Sequence, residues 1–79
     1  MSLLDVQMGS WATVVSVEGE ARMAATLRQH GIYPGDRIRV IRSAPLGGPL
    51  LVEVNTREVA LGRGVAAKVM VELEPCASL

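Results

Sequence analysis

The chain has 79 residues with eight basic and eight acidic side chains, so no net field draws it to nucleic acid or to an anionic membrane surface. Its apolar residues are mostly Val, Leu, Ala and Ile, with one Trp, one Tyr and no Phe, a composition suited to strands and poor in base-stacking groups. No apolar run reaches the roughly 18 residues that span a bilayer, and the single cysteine, Cys76, excludes an internal disulfide. Together with a start, Met1-Ser2-Leu3-Leu4-Asp5, that lacks the features of a signal peptide, this predicts one small domain in a reducing, cytoplasmic compartment, without membrane insertion.

In chain order, Leu3-Leu4-Asp5-Val6 is a short apolar patch expected to tie down across one end of the fold. Trp11–Val17 is rich in Val and Thr and predicts a first strand; Ala12, Val14 and Ser16 share one face and Trp11, Thr13, Val15 and Val17 the other. Both faces are apolar, so either can point inward. Residues 20–30 carry the one helical pattern: Met23 and Leu27 are four apart with Ala24 beside them, and Arg28 and His30 suit the negative end of the helix dipole. Gly31 is the expected residue just past the helix end, and Ile32 is placed to close an apolar contact with the last turn.

Tyr33-Pro34-Gly35-Asp36 reads as a type II turn, with Pro34 fixing φ and Gly35 where φ must be positive. Residues 37–42 alternate as a half-buried strand with Ile38 and Val40 inward. The stiff loop 43–48 follows, then Pro49 at a strand entry and Leu50, Val52 and Val54 on one face. Arg57–Leu61 is a fourth strand, joined through Asn55-Thr56; residues 62–66 form a turn or a single helical turn. Residues 67–73 complete the pattern with Val69, Val71 and Leu73 inward, and 74–79 form a loose tail. The sum is a mainly β fold, a small partly open barrel of about five strands with one short helix between the first and second and a core from about residue 5 to 73.

The chemistry-bearing residues are sparse. His30 has no nucleophile or acid partner in sequence and is read as a helix-end residue; His30 and Cys76 lack the paired spacing of metal ligands. Gly31 and Gly35 are not followed by the Lys-Ser/Thr of a phosphate loop. Arg37, Arg39 and Arg42 are read as solvated outer-face residues, Asp36 as a cap on its turn, Glu53 and Glu72 as surface, and Met8, Met23 and Met70 as core or rim packing. The residues predict no enzyme, no cofactor and no metal site.

Several segments together carry a resemblance: Leu27-x-x-x-Gly31-Ile32-x-Pro34-Gly35; Ile38-x-Val40-x-x-x-Ala44-Pro45-Leu46-Gly47-Gly48-Pro49; Val59-Ala60-Leu61; and Ala66-x-x-Val69-x-Val71-Glu72. The chain resembles the FeoA family from about Ala12 to Glu72. That resemblance implies an SH3-like barrel and a cytoplasmic, non-enzymatic accessory of bacterial ferrous-iron uptake that contacts the cytosolic part of the membrane transporter FeoB. Similar barrels end metal-dependent repressors of the DtxR type, so a stand-alone interaction or regulatory module is the alternative, and a direct metal-binding accessory a third. Two departures stand out: Gly48 where the family usually has Asp, and Gly62-Arg63-Gly64-Val65 where it usually has a charged, helix-friendly run, which predicts a looser segment here. The expected contact surface is one end of the barrel carrying Ile32, Tyr33, Pro34 and Gly35 with Ala44, Pro45, Leu46, Gly47 and Pro49, since rigid Pro/Gly loops lose little entropy on docking. Open strand edges offer a further route to self-association.

Overall fold

A computed structural model describes residues 1–19 and 21–74. Five antiparallel strands form one sheet in the order β4-β3-β2-β1-β5: β1 (Trp11–Val17), β2 (Arg37–Ser43), β3 (Leu50–Val54), β4 (Arg57–Leu61) and β5 (Val69–Leu73). The sheet curls without closing, since β4 and β5 do not pair with each other. Helix α1 (Ala21–Gln29) lies between β1 and β2, and a single helical turn, α2 (Arg63–Ala66), joins β4 to β5.

The period-two pattern decides which side chains go inside. Ile38 and Val40, then Leu50, Val52 and Val54, then Val69 and Val71 are all buried. On β1 the choice left open by the sequence falls on Ala12 and Val14. Two bulges interrupt the alternation, one between Val14 and Ser16 and one between Val40 and Arg42. The first moves Ser16 outward and turns Val17 towards the core, where it packs against buried residues. The patch at the start of the chain becomes a 3-10 turn, Leu3–Asp5, and Leu3 and Val6 both enter the core, which therefore begins before residue 5.

Three expectations about burial change. Leu73 occupies the inward register opposite Ala12 but is 50 % exposed, because it sits at the rim, where none of the described residues covers it. Met8 is also exposed. Glu53 does not face open water; its carboxylate takes the Arg39 guanidinium on the outer face. Strand β5 starts at Val69, with Ala67 and Lys68 belonging to the preceding turn. Glu74 is not loose: its N–H donates to the Trp11 carbonyl at 3.2 Å and its carboxylate pairs with Arg37. The rest of the expected tail, 75–79, and Glu20 of the expected helix lie outside the described residues.

Helix α1 is anchored chiefly by Leu27, which is fully buried, while Met23 is only half-buried. Its end is a Schellman motif: the Ile32 N–H donates to the Leu27 carbonyl at 2.9 Å and the Gly31 N–H to that of Arg28 at 2.9 Å. Ile32 and Leu27 are both core residues, which supplies the apolar contact that accompanies this motif. Tyr33 to Asp36 then make the expected turn, with Gly35 at φ 96° and the Asp36 N–H donating to the Tyr33 carbonyl at 3.0 Å. The Gly35 N–H donates to the Val14 carbonyl and the Val14 N–H to that of Asp36, at 2.7 and 2.8 Å, so the turn is fastened to β1.

The exposed edges are unequal. Met1 and Ser2 lie along β5, with the Val71 N–H donating to the Met1 carbonyl at 2.8 Å and a bridge between Ser2 and Met70. Among the described residues strand β4 has no such cover; it carries the exposed Glu58, a charge that discourages edge-to-edge pairing.

Candidate functional site

Strand β2 separates the two loops that the sequence placed on one surface. The Tyr33–Gly35 turn precedes Arg37 and the 44–49 loop follows Ser43, so they lie beyond opposite ends of a seven-residue strand, about 20 Å apart along it. Ile32 drops out of any contact surface, being 1 % exposed in the core. Of the first group, Tyr33, at 48 % exposure, Pro34 and Gly35 are accessible. Tyr33 and Pro34 line a shallow depression of about 330 Å³ with Val15, Ala24 and Arg28. The Asp36 carboxylate accepts the Tyr33 N–H at 2.9 Å, so the acid closes its own turn, as expected.

The 44–49 loop is built more tightly. The Ala44 N–H donates to the Pro49 carbonyl at 3.1 Å, and inside that closure the Gly48 N–H donates to the Pro45 carbonyl at 3.3 Å. Leu46 and Gly47 at the centre have φ 61° and 76°, the φ pattern of a type I′ turn, whose twist matches the flanking strands. Leucine is a poor residue for that position, since its Cβ crowds the following carbonyl. The side chain is nevertheless at 103 % exposure, so no intramolecular contact compensates the strain. A strained backbone presenting a bare leucine marks this loop above every other exposed apolar residue of the fold.

Gly48 has a steric role in the same loop. A Cβ there would lie 2.7 Å from the Cβ of Ala44, so the tight closure depends on its absence. Beneath the loop, Arg63 donates from Nη2 to the Ser43 hydroxyl at 2.9 Å. The segment around Arg63 is ordered into α2 despite its glycines, with the Ala66 N–H donating to the Gly62 carbonyl at 2.9 Å; burial of Ala66 holds the turn against its poor intrinsic propensity. The sequence singled out the Gly62-Arg63-Gly64-Val65 segment only as a departure from the family and not Arg63 as a site residue, because its neighbourhood to Ser43 and Gly47 exists only after β4 has folded back.

On the outer face, Arg37 and Arg39 flank the Trp11 ring at 4.5 and 5.2 Å from its centroid. Each is paired, Arg37 with Glu74 and Arg39 with Glu53, so these arginines form a stack across β5, β1, β2 and β3 and do not present a basic stripe. The hydrogen bond from Arg37 holds the Glu74 carboxyl below the usual glutamate range and raises the guanidinium in return. Among the described residues no group of three or more His, Cys, Asp or Glu side chains could hold a metal ion, and no helix is long and apolar enough to cross a membrane.

The model of the FeoA domain matches residues 1–73. The chain belongs to the FeoA family. A Porphyromonas gingivalis protein, the Fe(2+) transport protein A/Fe(2+) transporter FeoB fusion protein, is 34 % identical over 73 residues, 92 % of this chain and 9 % of that one. The FeoA domain therefore spans about a tenth of that relative, which carries both proteins on one chain. A crystal structure of an iron uptake regulatory protein, FeoA, superimposes with TM-score 0.86 at 31 % identity over 94 % of this chain and 97 % of the other. A Stenotrophomonas maltophilia FeoA complexed with zinc, described as a prokaryotic SH3 domain protein, matches with TM-score 0.76 at 32 % identity over 91 % and 89 % of the two chains. The manganese regulator SloR shares the fold alone, with TM-score 0.82 at 18 % identity over 94 % of this chain and 34 % of the regulator. The SH3-like, partly open barrel implied by the resemblance is the fold of this FeoA domain.

Proposed function

We propose that this FeoA domain is a non-enzymatic, cytoplasmic accessory of ferrous-iron uptake that docks on the cytosolic part of a FeoB-type transporter through Ala44, Pro45, Leu46, Gly47 and Pro49. The observation that carries the proposal is Leu46, an exposed leucine held at positive φ where a glycine would fold better. The fusion of the two proteins in a relative supports the choice of partner, because fused chains are held at high effective concentration and their contact need not be strong. A small, rigid loop suits such a contact, since little entropy is lost on binding.

Tyr33, Pro34 and Gly35 form a second, separate surface beyond the other end of β2. Binding of the chain to the purified cytosolic part of the cognate transporter distinguishes one-site from two-site docking. Leu46→Ala is expected to weaken binding at least about tenfold, since a buried leucine anchor contributes about 1.5–3 kcal/mol. Tyr33→Ala is expected to leave it within about twofold. If folded Leu46→Ala binds as tightly as wild type, the docking surface is not this loop. A regulatory module is the second reading; its support is the likeness to the manganese regulator, which is one of fold.

A further inference from the structure

Among the described residues Arg63 is a cation without a counter-charge. Its Nη2 donates to the Ser43 hydroxyl, while its Nε, like that of Arg39, is buried with no hydrogen-bond partner among the described residues. The side chain packs under the loop, with Cδ and Nε each 4.0 Å from where a Cβ on Gly47 would lie. Arg37 and Arg39 each have a carboxylate, but Arg63 has none among the described residues, and neither 43–52 nor 62–66 contains an acid. A guanidinium has five N–H donors, and leaving a half-buried one with a single hydroxyl partner forfeits stability. The unmatched cation and the strained leucine belong to one small region, joined by Gly47. Two such departures at one place mark a functional surface.

We infer that Arg63 is the charged half of the docking site: Leu46 enters an apolar pocket on the partner, and a carboxylate on that pocket's rim takes the Nη N–H groups of Arg63 that Ser43 does not use. The inference rests on the reading that the 44–49 loop docks on a FeoB-type transporter, and it deepens that reading by naming the chemistry the partner must present. Charge complementarity selects an acidic rim. The hydrogen bond to Ser43 holds the guanidinium in place, so little side-chain entropy is lost on pairing. A protein pocket fits better than a lipid surface, because one leucine and one fixed cation fall short of the two signals that stable membrane attachment requires.

The test is a titration of the purified chain against the purified cytosolic part of the cognate FeoB-type transporter at low and at physiological salt, with each variant's thermal unfolding recorded. Arg63→Met keeps the aliphatic packing on Gly47 and removes the charge; it is expected to weaken binding roughly tenfold at low salt and to flatten the salt dependence. Arg63→Lys is expected to recover part of the loss, because it restores charge without the planar fork. Arg42→Gln removes an equal, exposed charge two residues before the loop and is expected to leave affinity within about twofold. If Arg63→Met and Arg63→Lys both bind as wild type while Leu46→Ala weakens, Arg63 has no part in the site and the docking reading survives. Equal losses in Arg42→Gln and Arg63→Met overturn the inference in favour of general attraction. Absence of wild-type binding at either salt overturns both readings, and wild-type binding to phosphatidylethanolamine–phosphatidylglycerol vesicles in its place assigns the surface to lipid.

Discussion

Arg57 on β4 lays its guanidinium over Gly31 and donates from Nη2 to the His30 carbonyl at 3.0 Å, so a residue from the far edge strand caps the helix between β1 and β2. A Cβ on Gly31 would lie 1.9 Å from that same nitrogen, and Gly31 is also at φ 76°. Gly31→Ala therefore suffers twice, from the left-handed backbone and from displacement of Arg57. Its cost is expected to be about 2 kcal/mol, and that of Arg57→Ala about 1 kcal/mol. In the double variant the second penalty disappears, so the two losses add to less than their sum. Thermal unfolding of the four proteins measures the cycle, at roughly 4–8 °C per kcal/mol. Strict additivity would show that Arg57 does not occupy the space above Gly31.

The Arg37–Glu74 pair makes stability depend on pH in a defined direction. Glu74 is held below its ordinary value of about 4.3, chiefly by the Arg37 hydrogen bond. A depressed carboxylate contributes stability that is present above its unfolded value and is lost as pH falls through its folded value. Wild type is thus expected to lose a small increment as pH drops below about 4, and Glu74→Gln to lack that increment at pH 7 and to titrate less steeply below it. The contribution is modest because the pair is exposed. Trp11 is the single tryptophan and lies against Arg37, so its fluorescence follows the transition directly.

Among the described residues three that are not glycine sit at positive φ, Leu46 at 61°, Asn55 at 51° and Thr56 at 64°; asparagine tolerates that region, whereas leucine and threonine do not. Thr56 is in the two-residue Asn55-Thr56 turn, where glycine is the preferred second residue. Thr56→Gly and Leu46→Gly are each expected to stabilise the domain by roughly 0.5–1 kcal/mol, relief of the left-handed strain outweighing the added freedom of the unfolded chain. The two part company in function. Thr56→Gly should bind the transporter as wild type does, whereas Leu46→Gly should be more stable and bind less well. A Leu46→Gly protein that gains stability without losing binding would show that the leucine serves nothing at this position.

Gly48 gives a steric prediction. Gly48→Ala places a Cβ against that of Ala44 and is expected to cost about 1 kcal/mol or more, the usual penalty of overpacking. Ala44→Gly in the same protein should restore most of it. Rescue read by thermal unfolding confirms the contact; a Gly48→Ala protein as stable as wild type would mean the loop opens without penalty.

Much of the fold could be read from residue order because its signals are local. Strict alternation from Leu50 to Val54 needs no partner to say which side is buried, and Leu27, Gly31 and Ile32 all belong to one short run of chain, so the Schellman stop is a property of that segment. Readings that required distance between elements fared less well. Tyr33 and Leu46 both lie in short Pro/Gly segments, Tyr33-Pro34-Gly35 and Pro45-Leu46-Gly47, and nothing local says that a strand carries them apart. Leu73 alternates with Val69 and Val71, but whether an inward position is covered depends on where the sheet ends. The bulges at residues 15 and 41 leave no mark in the sequence, because they arise from how curved neighbours must register.

The 44–49 loop divides along the same line. Its Pro and Gly content, read from order alone, established a rigid turn between two strands and carried the family resemblance, since backbone stiffness is written residue by residue. That Leu46 is the strained tip, that Gly48 makes room for Ala44 and that Arg63 lies beneath, bonded to Ser43, were decided by the tertiary structure. Burial, clash and charge pairing are properties of space shared by distant segments, and space is assigned only when β2, β3 and β4 have curled back on one another and α2 has been carried under the loop.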